Sequence, residues 1–523
     1  MASGNRAKSR VLIAAVAMVI GIGLATACDR PSSPPTPVLP VARVVPRPEA
    51  SLKDRVASFC GDCHVLPPSD TFPRSNWESE VRRGFDFARK SGRAYDPPSI
   101  ADVVAFYQAG APERLPAIPR TPEGRGLSRP LRRSEIAGPH PDEAPAISHV
   151  AIVRLTDSSK FDILACDMAA GEILIDRAGQ FDGPATVLAS DLSYPAHAEV
   201  ADLDGDGIKD LLVADLGSPI PSDERLGRVL WLKGRSDGTF ETRVILSRLG
   251  RVSDVQAADF DGDGDLDLVV AVFGWHVAGE ILYLEQRQGP DGLPSFARKT
   301  IDGRHGTLQV PVVDLDGDGR PDFIALITQE HEAVEAFLND GAGGFTRRRL
   351  FTGPHPAFGS SGIQMIDMDG DGDLDAVLSN GDVYESPLIK PYHGVSWLEN
   401  RGPNRPFERH PIGAVYGAHK ALAGDLDGDG DLDVVATSFL GEPFYGAMRK
   451  AAEADAVIIF EQISAGEFRR IALERESCDY PSFALGDLDG DGKIEVVAGR
   501  FRNFRFAGDT PSPGANRPLV IWR

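Results

Sequence analysis

Six acidic loops of one design concentrate the chemistry of this 523-residue chain. The first runs Asp202-Leu203-Asp204-Gly205-Asp206-Gly207-Ile208-Lys209-Asp210, with carboxylates at positions 1, 3, 5 and 9. The spacing returns at Asp259, Asp261, Asp263 and Asp267, then at Asp314, Asp316, Asp318 and Asp322. Three further copies hold Asp367, Asp369, Asp371 and Asp375; Asp425, Asp427, Asp429 and Asp433; and Asp487, Asp489, Asp491 and Glu495. Carboxylates so spaced form an all-oxygen cage for a hard cation, and Ca²⁺ suits it best. Position 7 offers its carbonyl, which leaves its side chain free: Ile208, Asp265, Arg320, Asp373, Asp431 and Lys493 stand there. Glycines at positions 4 and 6 allow the tight turn. An EF-hand shares the first three acids but needs Glu at position 12. Val213, Val270, Ala325, Leu378, Ala436 and Ala498 occupy that position, which excludes it. About six Ca²⁺ ions are expected, in a structural role, because a filled oxygen cage leaves no open position for catalysis.

A second constellation, Cys60-Gly61-Asp62-Cys63-His64, is a C-x-x-C-H signal for covalent haem c. Cys60 and Cys63 would form the thioethers, and His64 would become the axial iron ligand. A zinc site would want a second ligand pair nearby, and a thioredoxin-like pair a βαβ context; neither accompanies the motif. No Met lies between His64 and Met168, and no His between His64 and His140. The sixth position therefore falls to Lys90, to Tyr95, to a His from the linker or propeller, or to nothing. An open position permits small-ligand chemistry; a filled one favours electron transfer alone.

The elements that must position these residues divide the chain. Residues 1–28 read as an export signal: Arg6, Lys8 and Arg10, an apolar run from Val11 to Ala27, then Cys28. The stretch Leu24-Ala25-Thr26-Ala27-Cys28 resembles a bacterial lipobox, which implies lipidation of Cys28. A periplasmic or cell-surface location, anchored to a membrane through that lipid, follows. Residues 29–49 form a proline-rich spacer, 50–112 a small helical domain, and 113–146 a Pro/Arg-rich linker. The helical segment begins one helix at Ser99-Ile100-Ala101-Asp102 and carries Val103, Val104, Phe106 and Tyr107. The formal net charge of −22 argues against nucleic acid as a partner.

From residue 147 the pattern changes to short strands and Gly-rich turns. The acidic loops recur at intervals of 57, 55, 53, 58 and 62 residues, near the size of a four-stranded propeller blade. A decayed seventh copy precedes them: His149–Asp167 aligns with His197–Asp215 without a gap. There Arg154 and Thr156 replace the first two ligands, while Asp162 is kept. Seven units suit a closed ring, with the final Leu519–Arg523 strand expected to complete the first blade. The repeats resemble the FG-GAP/VCBS family found in integrin-α-like propellers. That resemblance implies Ca²⁺ in the loops and a seven-bladed β-propeller over 147–523. The segment 50–112 resembles small cytochromes c, which implies a small N-terminal all-α haem domain. The fold class is thus mainly β.

Residues five or six before each loop fall at the end opposite the cation, where a funnel would open: His149, His197, Asp254, Gln309, Gly362, His419, Lys420 and Ser482. Cys166 and Cys478 fall near the same end, and a ring-closing disulfide there competes with two buried thiols. The leading functional expectation is an exported c-type cytochrome in electron transfer, with the propeller as docking scaffold for a redox partner protein. One alternative is an oxidoreductase whose funnel binds a small donor; another is an adhesion or carbohydrate-binding module.

Overall fold

The computed structural model describes residues 50–523, apart from Cys63, Arg93, Tyr95, 122–126, Ser128, 157–158, 178–182, Asp291, 384–387, Glu476 and 503–515. The export signal, Cys28 and the proline-rich spacer, like Cys63 and Tyr95, lie outside the described residues.

Three helices open the described chain: α1 (Leu52–Cys60), α2 (Trp77–Lys90) and α3 (Ile100–Gly110). Ser51 and Ser99 cap α1 and α3 by accepting hydrogen bonds from the amides of Asp54 and Asp102, which satisfies donors that a helix start leaves free. Val56, Val81, Val103 and Tyr107 close one small core, with Trp77 stacked on Tyr107 at 3.9 Å between ring centroids. Trp77 Nε1 donates to the Ser69 carbonyl, so the buried indole keeps its polar partner.

The rest is a ring of seven antiparallel sheets, each built on four strands. The first strand of each blade is innermost and meets the first strands of its neighbours. These strands are Ile147–Val153, Pro195–Ala201, Val252–Ala258, Thr307–Gln309 with Val312–Val313, Ser360–Ile366, Ala418–Gly424 and Ser482–Gly486. Blade four's first strand is split beside Pro311, which has no amide to give the ladder. Second strands such as Asp210–Asp215 and Asp267–Val272 are buried at every residue. Covered on both faces, they read as unbroken apolar runs rather than alternating ones. Valine and leucine from facing blades interlock there, as Val213 and Leu232 do with Leu164 and Ile173.

Ring closure departs from expectation in two ways. Leu519–Trp522 is the third strand of blade seven, not part of the first blade. Its outer partner is Arg133–Ile136, which lies inside the segment expected to be a linker. Further upstream that segment also lies against the ring: the Ile118 amide donates to the Tyr416 hydroxyl, and Thr121 Oγ1 to Asp455. One helix, α4 (Glu442–Ala451), interrupts blade six between its second and third strands, where only strands were expected. Cys166 and Cys478 are free, buried thiols in two separate cores, so no disulfide closes the ring.

Candidate functional site

Hairpin geometry sends the two ends of each inner strand to opposite faces of the ring. At one face lie the acidic loops. In all six, the position 6 amide donates to the position 1 carboxylate at 2.9–3.2 Å. The position 7 amide donates to the position 5 carboxylate at 2.9–3.1 Å. These turns fold the acids around one point. Ligand atoms of Asp202, Asp204 and Asp206 lie within 4.8 Å of one another, as do those of Asp259, Asp261 and Asp263, and of Asp314, Asp316 and Asp322. Lys233 Nζ sits against Asp204 and 2.7 Å from Asp206 in the first loop. Arg320 and Lys493 each turn back onto the position 5 acid of their own loop.

Position 9 has a second job that its spacing did not reveal. The carboxylate is buried, and it accepts the position 2 amide: Leu203 to Asp210, Leu315 to Asp322, Met368 to Asp375, Leu426 to Asp433 and Leu488 to Glu495, at 2.8–3.1 Å. The other oxygen of Asp210, Asp322, Asp375 and Asp433 accepts an amide at the far end of the third strand, at 2.7–2.9 Å. Asp267 likewise accepts from the Gln286 amide and the Tyr283 hydroxyl. The decayed copy keeps the loop half of this arrangement, with Asp162 accepting from the Thr156 and Leu155 amides. Burial pushes Asp267 up to about 6, and burial with the nearby Asp427 and Asp431 pushes Asp433 up to about 7. A bound cation would reverse both.

At the opposite face the funnel-end residues come together. His149, His197, Asp254, Gln309, Gly362, His419, Lys420 and Ser482 all line one cavity of about 500 Å³. This volume suits a small organic ligand. The cavity is roofed by α2, whose Arg83 and Phe87 line it together with Phe273, Trp275 and Phe439. Phe87 meets the His276 ring edge-on at 5.1 Å, and Lys90 Nζ lies 5.9 Å over Trp275. Lys90 is thus engaged with the propeller.

The polar ring is electrostatically differentiated. Asp254 accepts the Val310 amide at 2.8 Å and lies 2.9 Å from His197 Nδ1. Burial opposes charge on both partners, but their mutual attraction wins, holding His197 above and Asp254 below their ordinary ranges. Burial, then the neighbouring His197 and Lys420, drives His149 well below its ordinary value, so it is neutral. Its Nε2 is buried without a hydrogen-bond partner. Burial pushes Lys420 down to about 8 and Glu199, behind the ring, up to about 7. A neutral imidazole, an imidazolium–carboxylate pair and a labile ammonium in one apolar-walled cavity can bind an ionisable group and move a proton.

The C-x-x-C-H segment lies at the end of α1. Cys60 is half-buried, its thiol raised by burial despite a hydrogen bond with Tyr107. His64 Nδ1 lies 2.9 Å from the Val65 carbonyl oxygen. As the donor there, Nδ1 leaves Nε2 as the free metal-binding nitrogen, the arrangement that orients ligating imidazoles. Beside the motif, Phe59, Phe85, Pro97 and Ile100 line a groove of about 540 Å³, walled on one side by Arg82, Asp86 and Arg89 of α2. A groove with this apolar side, next in sequence to a half-buried thiol and a metal-competent imidazole nitrogen, would suit a flat apolar macrocycle. The lid residues Arg83, Phe87 and Trp275 escaped sequence reasoning. Trp275 was discoverable, because the connection after each second strand must return to the funnel face.

No curated protein matches the chain. Among solved structures, the crystal structure of BBS1N in complex with ARL6DN, soaked with mercury, is similar, with a TM-score of 0.42 and 11% identity over 75% of this chain and 94% of that one. Residues 220–270 and 296–378 match the family model of the FG-GAP-like repeat. The match touches blades two to five, and the scaffold is a seven-bladed β-propeller with FG-GAP-like repeats.

Proposed function

We propose that this chain is an exported c-type cytochrome whose propeller funnel binds a small electron donor. About six Ca²⁺ ions in the acidic loops would stiffen the ring, and a lipid on Cys28 would tether it to a membrane. The observation that carries the reading is the double exposure of α2. Arg83 and Phe87 line the funnel cavity, while Arg82, Phe85 and Arg89 line the groove shared with Phe59, the residue before Cys60. The two regions are separated by one helix diameter, about 10 Å. Cys60, Cys63 and His64 would hold the haem, which would supply a one-electron centre. The funnel residues would do the rest: Lys420 and the His197–Asp254 pair hold an ionisable donor group, neutral His149 accepts its proton, and Phe87, Trp275 and Phe439 keep water out.

The test is anaerobic mixing of the purified oxidised protein with small phenolic and alcohol donors while the haem bands are followed. Reduction that saturates with donor concentration, and slows about tenfold or more in Phe87→Trp or Lys420→Met, is the expected result. Reduction at equal rates in both variants, or by no donor, would sink the assignment.

A further inference from the structure

A corner of the funnel rim gathers imidazoles that neither the haem motif nor the calcium loops use. His305 stands in the connection entering blade four, and Glu330 and His331 form the turn between that blade's second and third strands. One ligand atom from each lies within 4.8 Å of the other two. His305 Nε2 is 2.9 Å from Glu330 Oε1, and the His305 and His331 rings are 5.2 Å apart. A four-coordinate Zn²⁺ with bonds of about 2.0–2.2 Å holds its ligands roughly 3.3 Å apart, so the His305–Glu330 pair opens slightly and the other approaches close by at most about 1.5 Å.

Two further observations point the same way. His331 Nε2 is buried and has no hydrogen-bond partner, and so is Nε2 of His276, whose ring lies 6.4 Å from that of His305. The turn is also built rather than loose. Gln329 and Glu332, on either side of the pair, have φ of +57° and +39°, and Glu332 is pinned by accepting the Gly359 and Ser360 amides at 2.9 and 3.0 Å. Residues other than glycine hold such angles only where their surroundings fix them. The nearby Arg304 does not oppose a cation, because Asp302 and Glu335 neutralise it.

We infer that His305, Glu330 and His331 form a site for one divalent transition-metal ion of the Zn²⁺ class. Two imidazoles and a carboxylate select such ions over Ca²⁺, which prefers all-oxygen cages. Three protein ligands leave the fourth tetrahedral position for water or a ligand, the pattern of zinc sites that act on a bound molecule. Gln329, which precedes Glu330 in this turn, borders the funnel cavity, so the site would stand close to it.

The experiment dialyses the full-length protein against micromolar Zn²⁺ in millimolar Ca²⁺, which fills the oxygen cages, and counts zinc per chain by elemental analysis. One zinc per chain is expected, with affinity lowered about tenfold or more in His305→Ala and in His331→Ala, and unchanged in His140→Ala. Circular dichroism checks that the variants fold. Should the alanine variants not fold, the nearly isosteric Glu330→Gln decides. No bound zinc, zinc retained by His331→Ala or Glu330→Gln, or equal loss in His140→Ala overturns the site.

Discussion

The carboxylate at position 9 ties the third strand to the loop whether or not a cation is present. Blade five gives the sharpest test. Asp375 is buried and accepts three hydrogen bonds, from the Met368 amide at 3.1 Å, the Asn400 amide at 2.7 Å and Trp397 Nε1 at 2.9 Å. Truncation in Asp375→Ala leaves two buried amides and the partly buried Trp397 Nε1 unpaired. At about 1–3 kcal/mol each, and allowing for incomplete additivity, the cost is about 3–5 kcal/mol. Asp369, at position 3, is exposed and accepts only the Asp371 amide, at 3.3 Å. Without Ca²⁺, Asp369→Ala should stay within about 0.5 kcal/mol of the parent. With Ca²⁺ it should lose the stabilisation that a bound ligand adds by mass action. Urea unfolding followed by tryptophan fluorescence, in EGTA and in Ca²⁺, measures both, and Trp397 reports from the blade itself. Equal midpoints for the two variants in EGTA would refute the tie. The decayed copy keeps the loop half of the arrangement without the first two ligands, since Asp162 accepts the Leu155 and Thr156 amides.

Haem content should be one per chain by pyridine haemochrome assay, and Cys60→Ala combined with Cys63→Ala should abolish it. Lys233→Met removes the ammonium from between Asp204 and Asp206, and should tighten Ca²⁺ binding at the first loop about tenfold by calorimetry. The His197–Asp254 pair should make stability pH-dependent. With His197 raised above its ordinary 6.5, its share is full below that pH and fades as pH rises through the raised value; with Asp254 lowered from 3.8, its share is full above 3.8 and fades as pH falls through the lowered one. Asp254→Asn should therefore cost most near pH 5–6 and least in alkali, read from urea midpoints across pH, at about 1.4 kcal/mol per pKa unit. Cys28→Ser should release the protein from the membrane fraction, as immunoblotting would show.

Much of the scaffold was legible because the repeat writes it seven times. Buried second strands need unbroken apolar runs, and loops need Gly and Asp at fixed places, so spacing alone gave the blades and the end of the funnel. Even the decayed copy could be aligned, as the inner-strand His149 and the buried Asp162 were kept. The closing strand was hidden for a physical reason. An outermost strand packs little, and in Arg133–Ile136 only Ile136 is buried, so no alternation marks it among the arginines and prolines. The capping of the funnel by α2 was equally silent, because Arg83 and Phe87 look like any residues of a charged amphipathic helix until their neighbours are known. The His305–Glu330–His331 group joins two connections of one blade, and no local spacing announces such a meeting.

Stitching blade seven from both ends of the propeller sets the order of assembly. Arg133 pairs with Trp522 across almost four hundred residues, so the strand made first waits for the one made last. Joining partners that remote costs about 3 kcal/mol more loop entropy than a short hairpin does. The ring must therefore gain most of its blade-to-blade packing before the latch can engage. Loss of four residues at the far end would strip blade seven of its third strand and leave unpaired the strand that follows directly from the segment joining lid to ring.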